Sequence, residues 1–122
     1  MRDMVAVHSL RPVATELSRG TVEHCVLALL RDEEAYAFDM IRRLRALGLV
    51  TSEGTIYPLL SRLRRQGLVA TAWRESDVGP PRRYYRLTDD GRRALDAFAD
   101  EWRRFRTAVD EVLGPILPEV RS

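Results

Sequence analysis

Lysine is absent from this 122-residue sequence, so all 20 of its basic residues are arginine. Each positive side chain is therefore a planar guanidinium, which can form two parallel hydrogen bonds with a phosphate or a guanine. Cys25 is the only cysteine, which excludes an internal disulfide and a cysteine-based zinc site. No apolar run approaches the ~20 residues that span a bilayer. Asp3 and His8 interrupt the segment where a signal peptide would be continuously apolar, so we expect a soluble, cytoplasmic protein.

Patterns typical of catalysis and of metal binding are also missing. The sequence has no glycine-rich phosphate loop and no metal-ligand spacing. His24 and Cys25 are adjacent in a predicted helix, where neighbours point about 100° apart, so they do not form a nucleophile–base pair. We therefore expect no enzymatic activity, no catalytic residues, no metal and no cofactor.

Positive charge is concentrated in the middle third of the chain. The net charge is only +2, and residues 1–50 hold seven arginines against seven acids. Residues 51–95 hold nine arginines against five acids, whereas residues 96–122 hold four against six. An anionic partner would therefore dock on the middle third.

Apolar periodicity predicts three helices in the first half of the chain, over residues 21–31, 35–47 and 51–66. Gly48 and Gly67 follow the second and third helices as C-terminal stops. Pro58 lies inside the third helix and predicts a kink or a separate first turn. The apolar face of the third helix has the i, i+3, i+4, i+7 spacing, with Ile56, Leu59, Leu60 and Leu63.

A hairpin and a long helix are predicted to follow. Residues 68–75 and 82–87 are typical of strands, and the segment 76–81 between them is rich in turn residues. Thr88 is a good N-cap for a final helix over 89–113.

This order of elements, with mainly α structure and one small β-hairpin, predicts a winged helix-turn-helix followed by a long C-terminal helix. We divide the chain into an N-terminal arm or short helix (1–16), the winged domain (17–88) and a C-terminal dimerisation helix with its tail (89–122).

The outer face of the third helix is suited to a nucleic-acid groove. Opposite its apolar stripe, helical geometry places small, hydroxyl and guanidinium side chains. Small residues near the N-terminal end of the helix let its backbone approach a groove, and arginine can bind guanine or phosphate. The alternative is an ordinary solvated helix face. The outer-face residues are Gly54, Pro58, Ser61 and Arg65, flanked by Tyr57 and Arg62.

The hairpin favours the nucleic-acid interpretation. Arg82, Arg83 and Arg86 flank Tyr84 and Tyr85. Because side chains alternate across a strand, Tyr85 shares a face with Arg83, and we expect one tyrosine to pack inward. A basic hairpin beside a helix-turn-helix is placed to contact the DNA backbone or minor groove. The alternative is an edge hairpin that charge protects from aggregation.

The last helix carries an a/d heptad stripe, which suits packing on a second copy of the chain. Intrachain packing is the alternative, but a small winged domain leaves little surface for so many large apolar groups. Ion pairs four residues apart are expected for Asp89 with Arg93 and for Asp100 with Arg104. The stripe comprises Leu95, Phe98, Trp102, Phe105, Val109 and Val112.

Two motifs resemble the PadR family of bacterial transcriptional regulators. Residues 52–60, with Arg62-Leu63 and Gly67-Leu68, are similar to the family's recognition-helix pattern. Residues 79–88, with Gly91, are similar to its wing, and the resemblance covers about residues 17–113. The family usually has Gly-Tyr-Glu at the start of the second helix, where this chain has Ala37-Phe38-Asp39.

The resemblance implies a homodimeric repressor that binds a pseudo-palindromic DNA operator and is sometimes relieved by a small effector. It implies that Arg82 and Arg83 contact DNA from the wing and that Arg19 holds a phosphate. Some relatives bind planar aromatic compounds between the last helices, where Phe98 and Trp102 would stack a ligand or simply form interface core. Carried over, the residues facing the major groove are Ser52, Thr55, Tyr57, Pro58, Ser61 and Arg62.

The competing function is a winged-helix module that uses the same surface to bind protein. Salt dependence separates the two, because each phosphate contact adds about −0.9 to the slope of log K against log salt on duplex DNA.

Overall fold

The computed structural model describes residues 20–50 and 53–118. The predicted arm at 1–16, Arg19 and Ser52 lie outside this described part. Two short 3₁₀ turns lie at Glu53–Thr55 and at Gly114–Ile116. No helix among the described residues is both long and apolar enough to cross a membrane. In order, the elements are α1 (Val22–Leu29), β1 (Ala35–Tyr36), α2 (Ala37–Ala46), α3 (Ile56–Arg65), β2 (Val69–Ser76), β3 (Gly79–Leu87) and α4 (Asp89–Leu113).

This is the predicted winged helix-turn-helix with a long C-terminal helix. Helices α1, α2 and α3 bury one apolar face each in a common core, as their periodicity requires. Glycines with φ of +75° and +77° (Gly48 and Gly67) end α2 and α3, a backbone conformation that other residues adopt with strain. The most completely buried large side chains are Leu27, Met40, Ile41, Leu44, Ile56, Leu60, Leu63 and Val26.

The beginning of α3 confirms that Pro58 follows a separate first turn. A 3₁₀ turn at Glu53–Thr55 comes before the α-helix, which starts at Ile56. Pro58 is therefore in the first turn of α3, where a backbone N–H has no partner within the helix, so its missing N–H costs nothing. Residues 51 and 52, the first two of the predicted third helix, lie outside the described part.

The hairpin is longer and its turn shorter than predicted. Ser76 pairs with Gly79, so only Asp77 and Val78 form the turn. The segment 79–81, expected in a loop, belongs to β3. β1 pairs with β3 only at Tyr84 and Tyr85. Pro80 and Pro81 therefore lie in a part of β3 that has a neighbouring strand on one side only, where proline is tolerated.

β1 itself was predicted as the start of the second helix, and this prediction is wrong. Ala35 and Tyr36 instead add a third strand, giving the antiparallel order β1–β3–β2. Two residues are too few for a periodic signal, and their partners Tyr85 and Tyr84 lie far along the chain.

The start of α4 is hydrogen-bonded to the residue that ends α3 and packs against the residue after it. The Thr88 hydroxyl accepts a hydrogen bond from Gly91 N (3.0 Å) and donates one to Gly67 O (2.7 Å). A Cβ atom at Gly91 would lie only 2.0 Å from the carbonyl oxygen of Leu68. The first turn of α4 therefore packs directly on the backbone that precedes β2.

The ion pairs of α4 differ from those predicted. The structure pairs Asp90 with Arg93, Asp100 with Arg103 (3.5 Å) and Glu101 with Arg104. All three pairs have a spacing of three residues rather than four. Both spacings bring side chains together on a helix, and the side-chain rotamers determine which pair forms.

Candidate nucleic-acid interface

The outer face of α3 is exposed as predicted from helical geometry. Its inner face is buried in the core, so the opposite side chains point to solvent. The predicted site residues described on this face are all exposed: Thr55, Tyr57, Pro58, Ser61, Arg62 and Arg65.

An ion pair joins this face to α1. Nη2 of Arg62 lies 3.3 Å from Oε2 of Glu23, with both side chains partly open to solvent. The position of Glu23 at this surface was not predicted from the sequence, since the two residues are 39 positions apart.

The wing, which we define as β2, the turn and β3, has an inner and an outer face. Tyr85 is only 6% exposed and packs in the core with Leu87, so Tyr85 is the inward tyrosine. Arg83 shares its face, opposite Trp73 in the strand register. The Arg83 guanidinium carbon lies 4.9 Å from the centre of the Trp73 ring, which is itself 64% exposed.

Arginines also contact aromatic rings on the other face of the wing. The guanidinium carbon of Arg82 lies 4.8 Å from the centre of the Tyr36 ring. Tyr36 in turn contacts Tyr84, with 5.9 Å between ring centres. Arg74 is neutralised by the carboxylate of Glu34, and the Arg74 Nη2 to Glu34 Oε2 distance is 2.7 Å.

A cleft of about 610 Å³ separates the N-terminal end of α3 from the wing, and we call it the wing cleft. It brings together Tyr57, Arg82 and Arg83 from the predicted site. Trp73 and Tyr36 also line the cleft, and sequence reasoning missed both because their placement depends on strand pairing. Ser61, Arg62 and Arg65 are not part of its lining and lie further along α3.

A second concavity, of about 600 Å³, lies between α1 and α4, and we call it the α1–α4 groove. His24 stacks on Phe98, with 3.9 Å between ring centres and 3° between planes. Phe98 is followed by Trp102 at 6.2 Å. Cys25 also lines the groove, and burial raises the pKa of its thiol.

The residues of the predicted dimer stripe on α4 differ in their exposure. Leu95 is 8% exposed and packs in the core of this chain. Phe98 and Val109 are half-buried. Trp102, Phe105 and Val112 are exposed, and Phe105 reaches 63%.

Comparison with known proteins adds independent findings. Residues 26–97 match the family described as "Transcriptional regulator PadR-like family". The chain is similar to Transcriptional regulator Rv3488 of Mycobacterium tuberculosis, with 35% identity over 99 residues that cover 81% of this chain and 89% of that protein.

Solved structures show the same fold. A PadR family transcriptional regulator from Eggerthella lenta has a TM-score of 0.77 and 34% identity, covering 90% of this chain and 96% of that one. Bacillus subtilis PadR, solved in complex with operator DNA, has a TM-score of 0.58 and 25% identity, covering 66% of this chain and 47% of that one.

Proposed function

The chain belongs to the PadR-like family of transcriptional regulators, and on this premise we propose that it regulates transcription by binding operator DNA. In this proposal the outer face of α3 enters the major groove, and the wing contacts the adjacent backbone. The same premise agrees with the expectation that the protein is not an enzyme, because the matched family is one of regulators.

The wing cleft is the observation that carries this proposal. Its lining includes the guanidinium groups of Arg82 and Arg83 and, among residues 20–50 and 54–118, no carboxylate. Neither arginine forms an ion pair with an acid in the same two ranges. This arrangement suits DNA. The two guanidinium groups supply positive charge that can bind its phosphate backbone, and the exposed helix face beside them can enter a groove.

The exposed apolar residues of α4 support the proposed homodimer. Trp102, Phe105 and Val112 expose apolar surface along one side of this helix. Contiguous exposed apolar surface of this kind is typical of an interaction site. A second copy packed on the stripe would present two α3 helices to successive major grooves about 34 Å apart, which suits a pseudo-palindromic operator.

Repression and relief by a small planar aromatic effector complete the proposal. A repressor acts by occupying an operator, and it is relieved when a ligand favours a form that binds DNA less well. Support comes from the α1–α4 groove, whose lining is largely apolar and includes the stacked rings of Phe98 and Trp102.

The effector is tested by fluorescence in a Trp73→Phe variant, in which Trp102 is the only tryptophan. Planar phenolics and dyes are expected to change its emission in a saturable way. An unchanged emission across the panel would remove the effector from the proposal and leave the DNA-binding function in place.

The decisive experiment is a selection of random duplexes by the purified protein, followed by mobility-shift titration of the enriched site at two salt concentrations. We expect a palindromic motif bound by a dimer, with affinity that falls steeply as salt rises. Failure to enrich any sequence, together with no binding at low salt in ligand-free protein, would contradict the proposal and favour a protein-binding winged helix.

A further inference from the structure

We propose that Trp73 is a positioning residue for Arg83, whose guanidinium it orients at the wing cleft to bind one backbone phosphate of DNA. This inference rests on the proposed function and deepens it. It assigns a phosphate contact to one site with a defined geometry, rather than to the positive charge of the wing as a whole.

The charge of the cleft selects an anion. Arg82 and Arg83 both contribute to its lining, which contains no acidic residue among the side chains that the structure describes. Arg74, on the neighbouring strand, illustrates the contrast, because Glu34 neutralises it and it does not line the cleft. Two of the three wing arginines that form no ion pair in the described part, Arg82 and Arg83, therefore lie at the cleft, and Arg86 is the third.

The Trp73 ring holds the Arg83 guanidinium in one orientation. A guanidinium 4.9 Å from a ring centre is attracted by the electron-rich face of the ring. The N–H donors of a guanidinium lie around its edge, so contact between its face and a ring leaves the terminal donors for oxygen ligands. Trp73 thus prepares Arg83 for a planar, two-point contact with phosphate.

One donor of Arg83 is buried and unsatisfied within the described part of the chain. Its Nε has no hydrogen-bond partner there. A buried donor without an acceptor costs free energy, and an oxygen that reaches it recovers that cost. Because this Nε is buried, the Arg83 side chain must turn outward before a phosphate can bind Nε together with a terminal nitrogen and satisfy the group.

The position of the cleft explains what such a contact would do. Tyr57, from the outer face of α3, and Arg82, held over the Tyr36 ring, line the same cleft as Arg83. A phosphate bound here would lie beside the groove that α3 enters. Phosphate contacts of this kind set the register of a protein on the duplex without reading its sequence.

The test compares Trp73→Ala with Trp73→Phe, which keeps a ring under Arg83. Binding is titrated by fluorescence anisotropy of labelled duplex, on the enriched operator and on a random duplex, over a range of salt. Trp73→Ala is expected to weaken binding to both duplexes by a similar factor. It should also reduce the salt slope by about 0.9 for each phosphate that the variant no longer binds, and Trp73→Phe should restore most of both.

Arg86→Ala is the matched control, because Arg86 is an exposed arginine of the same strand that does not line the cleft. It removes the same charge as Arg83→Ala. A loss of affinity equal to that of Arg83→Ala would show that only the total charge of the wing matters and would overturn the inference. Trp73 is largely exposed, so we expect its variants to keep the wild-type circular dichroism spectrum.

A second readout reports on the cleft directly. In a Trp102→Phe background Trp73 is the only tryptophan, and its emission should change when duplex is added. Inorganic phosphate at matched ionic strength should produce no saturable change. Saturation by inorganic phosphate alone would assign the cleft to a free anion and overturn the DNA assignment.

The outcomes separate this inference from the function on which it rests. Wild-type affinity and salt slope in Trp73→Ala would refute the positioning role of Trp73, while operator binding by the wild type would still stand. Absence of DNA binding by the wild type itself would refute the regulator proposal instead.

Discussion

Arg62 and Glu23 form an ion pair of 3.3 Å that ties the middle of the α3 outer face to α1. The contact uses one terminal nitrogen of a guanidinium that has five N–H donors. Arg62 can therefore turn to a base or a phosphate, but it must first weaken its contact with the carboxylate. Glu23 thus competes with DNA for the arginine that we place in the major groove.

Glu23→Gln is expected to increase affinity for duplex DNA, because it removes this competing negative charge. An exposed ion pair contributes about 0.2–1 kcal/mol, so the gain should be at most about fivefold. Glu101→Gln is the control, since Glu101 pairs with Arg104 on α4, away from α3. Equal changes in anisotropy titrations of both variants would contradict competition at Arg62.

Arg62→Ala is expected to relax base preference, whereas Arg83→Ala should weaken binding to all sequences. An arginine bound to guanine contributes about 1–3 kcal/mol to discrimination between bases. An arginine on phosphate instead contributes about one unit of salt slope. Repeating the duplex selection with each variant measures both effects, and wild-type behaviour of both would show that these residues are wrongly assigned.

Gly91→Ala is expected to destabilise the fold. Its Cβ would lie 2.0 Å from Leu68 O and 2.8 Å from Leu87 Cδ1, so the first turn of α4 would have to move. Overpacking of this kind costs about 1–3 kcal/mol, measurable as a lower midpoint in urea. Gly114→Ala is the control, because Gly114 has helical dihedrals and open space around the new methyl group. A similar loss of stability in both variants would refute the packing argument.

Phe105→Asp is expected to convert the proposed dimer into monomers. A carboxylate placed in an apolar interface must lose its water, so the dimer dissociation constant should rise by more than about tenfold. Thr107→Asp adds the same charge on the opposite side of α4 and should leave the dimer intact. Sedimentation velocity distinguishes the two, and an unchanged dimer in Phe105→Asp would exclude this stripe as the interface.

Cys25 offers a chemical probe of the α1–α4 groove. Burial raises the pKa of its thiol, so at any given pH a smaller fraction is the reactive thiolate. Iodoacetamide at pH 8 should therefore label folded protein more slowly than protein in denaturant. A planar aromatic that occupies the groove should slow labelling further, and equal rates in folded and unfolded protein would contradict the burial.

Local physical chemistry explains what could be predicted about the fold. A helix repeats every 3.6 residues, so the spacing of Ile56, Leu59, Leu60 and Leu63 was sufficient to define the buried and outer faces of α3. Caps depend on neighbours a few residues away, so Thr88 was correctly predicted as the N-cap of α4. Strand alternation likewise predicted that one tyrosine of the wing packs inward, which is Tyr85.

The sequence by itself thus determined the winged fold, the exposed face of α3 and the arginine-rich strand of the wing. Only the tertiary structure decided which side chains meet across that surface. The pairing register of β2 with β3 places Trp73 opposite Arg83, and the packing of α1 near α3 brings Glu23 to Arg62. The first contact depends on the register of a hairpin and the second on the packing of helices 39 residues apart, and the periodicity of a single element encodes neither.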